Sequence, residues 1–151
     1  MQRGVIPVVG VVVLLAISVL LAATLGILLS TPASEPPPTA SFELSADGQS
    51  DEIELIHLGG DTIDLTAVSL RISVDGKRLE KQPPIPFFSA TGYESGPTGP
   101  FNRASPNQWA AGETATLTVA STNEPEVSPG DTVRVRLYTD TGTVADLTVT
   151  A

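Results

Sequence analysis

Residues 5–29 read VIPVVGVVVLLAISVLLAATLGILL, twenty-five consecutive positions without a charged side chain. At about 1.5 Å of rise per residue, a helix of that length spans roughly 37 Å, enough for the ~30 Å hydrocarbon core of a bilayer with some tilt. Met1, Gln2, Arg3 and Gly4 precede the run, and everything else in the chain follows it. That layout is the one expected of a membrane-held or fibre-forming subunit rather than a freely diffusing enzyme. Pro7 falls in the first turns, where a helix tolerates proline because the leading amides have no intrahelical acceptor. The small residues Gly10, Ala16, Ala22, Ala23 and Gly26 would let neighbouring helices approach closely, although they are also ordinary membrane-helix composition.

Outward from this run the composition changes twice. Residues 30–40, STPASEPPPTA, hold four prolines, and Pro36 to Pro38 favour an extended polyproline conformation, so the segment reads as a semi-rigid spacer. From Ser41 the periodicity becomes two, the signature of strands with one buried face. Ile53, Leu55 and His57 share one face, and Glu52, Glu54 and Ile56 the other. Val68, Leu70, Ile72 and Val74 alternate with Ser69, Arg71 and Ser73, and Asp75-Gly76 then supplies a tight turn. Ala115, Leu117 and Val119 form a further apolar face, as do Val133, Val135 and Leu137, and finally Ala145, Leu147 and Val149. Six or seven short strands with Gly, Asp and Pro between them predict a mainly β fold: one N-terminal helix, then an antiparallel immunoglobulin-like β-sandwich over residues 41–151. The stretch from Gln82 to Gln108 is expected to be a long loop that closes over a sheet edge or carries a variable surface.

All 17 carboxylates and seven of the eight cations lie beyond Leu29, which leaves that part with a net charge of −10. Such a surface repels nucleic acid and anionic headgroups, so no nucleic-acid partner is expected, and it suits a salt-rich medium. The chain has no cysteine, so the β part must hold itself by packing or by assembly rather than by disulfides. Asn102, Asn107 and Asn123 all fail the Asn-x-Ser/Thr pattern.

The segment from Arg3 to Leu29 resembles the N-terminus of archaeal type IV pilins, haloarchaeal ones especially. Arg3-Gly4 matches the end of their leader, and Val5-Ile6-Pro7-Val8-Val9-Gly10 the start of their mature helix, with Ile6 where the family usually has serine. A second stretch, Ile53 to Asp61, followed by Ile63-Asp64-Leu65, resembles the His-x-Gly-Gly-Asp strand-turn of the family's head domains. Trp109-Ala110-Ala111-Gly112-Glu113 and Pro129-Gly130-Asp131-Thr132-Val133-Arg134-Val135 resemble its later strands. The resemblance implies a leader over 1–4, cut between Gly4 and Val5 by prepilin peptidase, and a helix over 5–29 that serves first as membrane anchor and then as filament core. Gly10, Ala16 and Gly26 would be its packing positions. It further implies a spacer over 30–40, a β-sandwich head over 41–151 outside the cell, other pilin subunits as partners, and a pilus that supports surface adhesion. No cofactor is implied.

Other chemistries find little in the sequence. His57 is the sole histidine, and beside Gly59, Gly60 and Asp61 it reads as a residue that fixes a turn; a metal role would want further ligands. Asp61 and Asp64 could enter a loose calcium cluster, but the spaced loop of an EF-hand is missing. No Gly-x-Ser-x-Gly elbow or phosphate-binding loop occurs, and no catalytic residue is assigned. Phe87, Phe88, Tyr93, Phe101 and Trp109 are expected to anchor the long loop, or else to form an adhesive or subunit-contact patch. Two other layouts compete with the filament: a membrane-anchored extracellular binding module that never polymerises, and a domain released by signal peptidase near Ala33. The second fits poorly, because the apolar run exceeds the ~7–15 residues of a signal-peptide core.

Overall fold

The uncharged run folds as one α-helix, α1 (Val5–Leu29), in a computed structural model that describes residues 5–30 and 35–151. The chain divides into two units, Met1–Ser34 and Glu35–Ala151. The expected leader over 1–4, its cleavage after Gly4 and the Ala33 site lie outside the described residues.

The alternating stretches become nine strands: β1 (Ala40–Asp47), β2 (Glu52–Gly60), β3 (Ile63–Asp64), β4 (Ser69–Val74), β5 (Lys77–Arg78), β6 (Gln108–Trp109), β7 (Thr114–Thr118), β8 (Thr132–Tyr138) and β9 (Thr143–Thr150). They form a three-stranded sheet ordered β1-β2-β7, a four-stranded sheet ordered β5-β4-β8-β9, and the small pair β3-β6. Every strand pair is antiparallel. The chain changes sheet between β2 and β4, between β5 and β7, and again between β7 and β8, so the two larger sheets are sewn together by the covalent path. Their inner faces share one core that includes Ile53, Leu55, Leu70, Ile72, Leu117, Val133, Val135 and Leu137. The expected class, mainly β with one N-terminal helix, is the observed one. Ala145, Leu147 and Val149 face inward as expected but are only half-buried, because β9 is an edge strand of its sheet.

The long loop closes an edge. Glu94, Thr98 and Thr116 amides bond to Thr118, Thr116 and Thr98 carbonyls, which extends the β7 side of the three-stranded sheet without a further strand. An open edge would offer unpaired backbone groups to other chains, so this zipper protects the sheet. Of the loop aromatics, Phe87, Tyr93, Phe101 and Trp109 are buried in the core and only Phe88 is exposed. The anchoring role is therefore the observed one, and an aromatic contact patch of all five is excluded. Burial wins because each ring removes far more apolar area from water than a loop backbone alone could.

Residues 35–39 belong to the β unit rather than to a free spacer. Gly142 lacks a side chain where Pro37 packs: a Cβ there would sit 3.1 Å from the Pro37 ring. Further on, the Thr39 amide donates to Asp61 Oδ2 at 2.9 Å, and the Asp61 amide donates to the Thr39 carbonyl at 2.9 Å. Only Ser30 and the undescribed residues 31–34 remain of the expected spacer between the helix and this packed segment.

Candidate functional site

In α1 the backbone between the two end turns satisfies its own donors and acceptors, and the side chains add no polar demand. Ser18 Oγ donates to the Leu14 carbonyl at 2.8 Å, Thr24 Oγ1 to Leu21 at 2.9 Å and Ser30 Oγ to Gly26 at 2.7 Å. Hydroxyls bonded back to the helix carry no unmet hydrogen bond into hydrocarbon. The helix is long and apolar enough to cross a membrane. At about 100° per residue, Gly10 and Gly26 lie on nearly opposite sides of it and Ala16 on a third. An added Cβ at Gly10 or Gly26 meets nothing in the chain within 4 Å. The small residues thus thin the helix on several sides instead of marking one dimer face.

In the β unit the head-turn residues meet the later sequence motifs. His57 is fully buried. Its Nδ1 lies 3.1 Å from the Trp109 carbonyl and its Nε2 3.2 Å from the Gly59 carbonyl. Both partners are acceptors, so either ring nitrogen can donate its N–H, according to the tautomer. Phe42 stacks on the imidazole at 4.8 Å, and Trp109 meets it edge-on at 5.9 Å. The turn after Trp109 closes on the same strand. Glu113 O accepts from His57 N at 3.0 Å and from Trp109 Nε1 at 3.0 Å, while Gly112 N donates to the His57 carbonyl at 2.7 Å. Two motifs about fifty residues apart are one structural unit, which holds the small β3-β6 pair against the core.

Gly60 and Asp61 do a different job from His57. Gly60 has φ of +104°, and a Cβ there would collide with the Thr39 carbonyl. A glycine is needed because the incoming chain crosses it at backbone distance. Asp61 then clamps Thr39, as described above. Asp64 Oδ1 accepts from the Thr66 amide and hydroxyl at 2.9 and 2.7 Å, and these bonds hold its carboxyl below the usual carboxylate range. Both carboxylates suggested for calcium are thus engaged in turns, and among the described residues no group of three or more acidic or histidine side chains could hold a metal. All buried side-chain nitrogen and oxygen atoms among the described residues have partners.

Two structural residues had no signal in the sequence. Asn123 is fully buried; its Oδ1 accepts from Lys81 N at 2.9 Å and its Nδ2 donates to the Lys81 and Gly92 carbonyls at 2.9 and 3.2 Å. Tyr93 Oη donates to the same Lys81 carbonyl at 2.8 Å, and burial pushes that phenol well above its usual range. Gln82 imitates a strand, with Oε1 accepting from Ile72 N at 2.7 Å and Nε2 donating to Ile72 O at 3.0 Å. A lone amide in a polar loop looks like any other surface residue until its partners are known.

The architecture is thus a membrane-spanning-length apolar helix carrying a β-sandwich, with its signature residues spent on holding the fold. No protein-family model matches the chain. It is 33% identical over 122 residues to an uncharacterized protein of Archaeoglobus fulgidus, an alignment that covers 79% of this chain and 74% of that protein. The chain belongs to the family of that archaeal protein.

Proposed function

We propose that this chain is a pilin-like structural subunit of an archaeal surface filament, a major or minor component, with α1 as membrane anchor and then filament core and the β unit displayed outside the cell for adhesion. The observation that carries the reading is the helix: twenty-five uncharged residues, apolar on all sides, with small residues at Gly10, Ala16 and Gly26 facing different directions. A lone anchor needs only hydrophobicity. A core helix surrounded by copies of itself gains from close backbone approach on several sides, which these positions allow. The pilin-like N-terminal sequence supports the same reading, and the relative from Archaeoglobus fulgidus supports its archaeal part alone.

Processing provides the first test. N-terminal sequencing of the protein recovered from cells is expected to begin at Val5, and Gly4→Trp is expected to leave the precursor uncut; normal processing of that variant counts against prepilin peptidase. Assembly provides the second. Gly10→Leu combined with Gly26→Leu preserves hydrophobicity but blocks close contact, so membrane insertion persists while filaments disappear from negatively stained cells. Wild-type chain that is processed yet never forms filaments returns the reading to a membrane-anchored binding module.

A further inference from the structure

The outer faces of the two larger sheets carry opposite charge. Arg71 on β4 and Arg134 and Arg136 on β8 alternate with core residues and point away from the core, and the exposed Arg78 on β5 pairs with Ser73 of β4. They are four of the chain's six arginines, and together they line a shallow depression of about 440 Å³ whose lining contains no carboxylate. At its border Asp146 receives Arg134 through two bonds of 2.7 and 2.6 Å and Arg136 at 3.3 Å, while Asp140 lies with Arg71 and Arg136 around a neighbouring hollow. Arg71 donates to Tyr138 Oη and rests over that ring, 5.3 Å from its centroid; among the described residues it has no ion-pair partner. Four guanidiniums face one bonded carboxylate.

On the three-stranded sheet the charged outward residues of β1 and β2 are Glu43, Asp47, Glu52 and Glu54, set among Ser41, Ser45, Ile56 and Leu58, while β7 adds only threonines and neither lysine nor arginine occurs in these strands. Both faces also bear a like-charge pair directly across the ladder: Arg71 opposite Arg136, and Asp47 opposite Glu52. Such pairs are destabilising in an isolated sheet. A partner surface of opposite sign relieves both costs at once.

We propose that the arginine face of one copy docks on the carboxylate face of the next. The two faces back onto one shared core and therefore point in opposite directions, so the contact is head-to-tail and repeats along a row instead of closing a pair. Four strands about 4.8 Å apart and seven residues of about 3.3 Å give a face on the order of 450 Å². That is below the ~800 Å² per partner of stable complexes, so the contact prevails where membrane or filament already holds copies side by side. It does not require α1 to pack against its copies, and its failure leaves the filament reading intact.

Because the chain has no cysteine, single introduced thiols report the contact in full-length protein reconstituted into liposomes. Ser73 lies in the arginine face and Ser45 in the carboxylate face. A mixture of Ser45→Cys and Ser73→Cys chains is expected to form disulfide-linked dimers on mild oxidation, and either variant alone about tenfold fewer. Arg71→Glu with Arg136→Glu on the Ser73→Cys chain removes the mixed dimer, and Glu52→Arg with Glu54→Arg on the Ser45→Cys chain restores it. Equal crosslinking of the single variants, or mixed dimers indifferent to charge reversal, overturns the proposal. So does dextran sulfate binding through these arginines in the wild-type chain while the Ser45→Cys and Ser73→Cys chains give no mixed dimer, which makes the face a polyanion surface instead.

Discussion

In α1 each side-chain hydroxyl finds its acceptor three or four residues back along the same helix, whereas in the β unit the Asn123 amide reaches Lys81, 42 residues away, and Gly92, 31 away. Both regions leave no buried polar side chain unmet, yet the helix does so within one turn and the sandwich across the whole domain. The contrast separates what a local change can break. In the helix a substitution acts on its surroundings, lipid or neighbouring copies; in the sandwich it acts on distant segments that depend on one another.

The largest effect is expected at the aromatic centre. Trp109→Ala removes a fully buried indole that packs on Phe42 and Phe101 and pairs β6 with β3. A loss of about 3–5 kcal/mol should follow, read as a fall in melting temperature of the full chain in detergent. The matching break in α1 is Leu15→Asp, which costs about 2.5–3.5 kcal/mol at a bilayer centre and is expected to shift the protein from membrane to soluble or degraded fractions without changing the near-ultraviolet signal of the packed aromatics. Unchanged membrane partition would show that α1 is not lipid-embedded.

Asn123→Ala tests the long-range staple. It leaves the Lys81 amide without its partner, while the Lys81 and Gly92 carbonyls keep Tyr93 Oη and the Ala120 amide, so about 1–3 kcal/mol is expected, with hydrogen exchange accelerated at Lys81 first. A smaller effect sharpens the boundary between the regions. The segment 35–151 is expected to melt above the segment 41–151 by the equivalent of about 1–2 kcal/mol, since the shorter one lacks the Thr39–Asp61 bonds and the Pro37 contact. Equal melting would make residues 35–39 a passive tether.

The smallest effect concerns pH. The bond from Arg134 holds the Asp146 carboxyl below its ordinary value of 3.8. A depressed folded value means the pair stabilises above the unfolded value and fades as pH falls through the folded one. Asp146→Asn is therefore expected to lower the melting temperature slightly at neutral pH and by progressively less below 3.8, a difference that shrinks at high salt because the pair is exposed.

Much of the sandwich was legible because a strand's faces are set by adjacent residues. Ile53, Leu55 and His57 inward with Glu52 outward, the Asp75-Gly76 turn, and Val133, Val135 and Leu137 inward all follow from period two alone. His57 as a turn-fixing residue was legible from its glycine neighbours. Its other partner was not, because the Trp109 carbonyl comes from a motif with no local link to it. The same holds for Asp61: the sequence shows a turn aspartate, and only the crossing of Thr39 over Gly60 makes it a clamp.

By itself the sequence determined a charge-free helix of membrane-spanning length and a β domain of alternating strands, since helix hydrophobicity and strand alternation are read within a window of neighbouring residues. Only the tertiary structure decided that the loop aromatics fill the core, that Asn123 and Gln82 stand in for missing backbone partners, and that arginines and carboxylates gather on opposite outer faces. Those outcomes depend on strand order and register, and chain segments far apart in sequence become neighbours only when the two sheets close over their shared core.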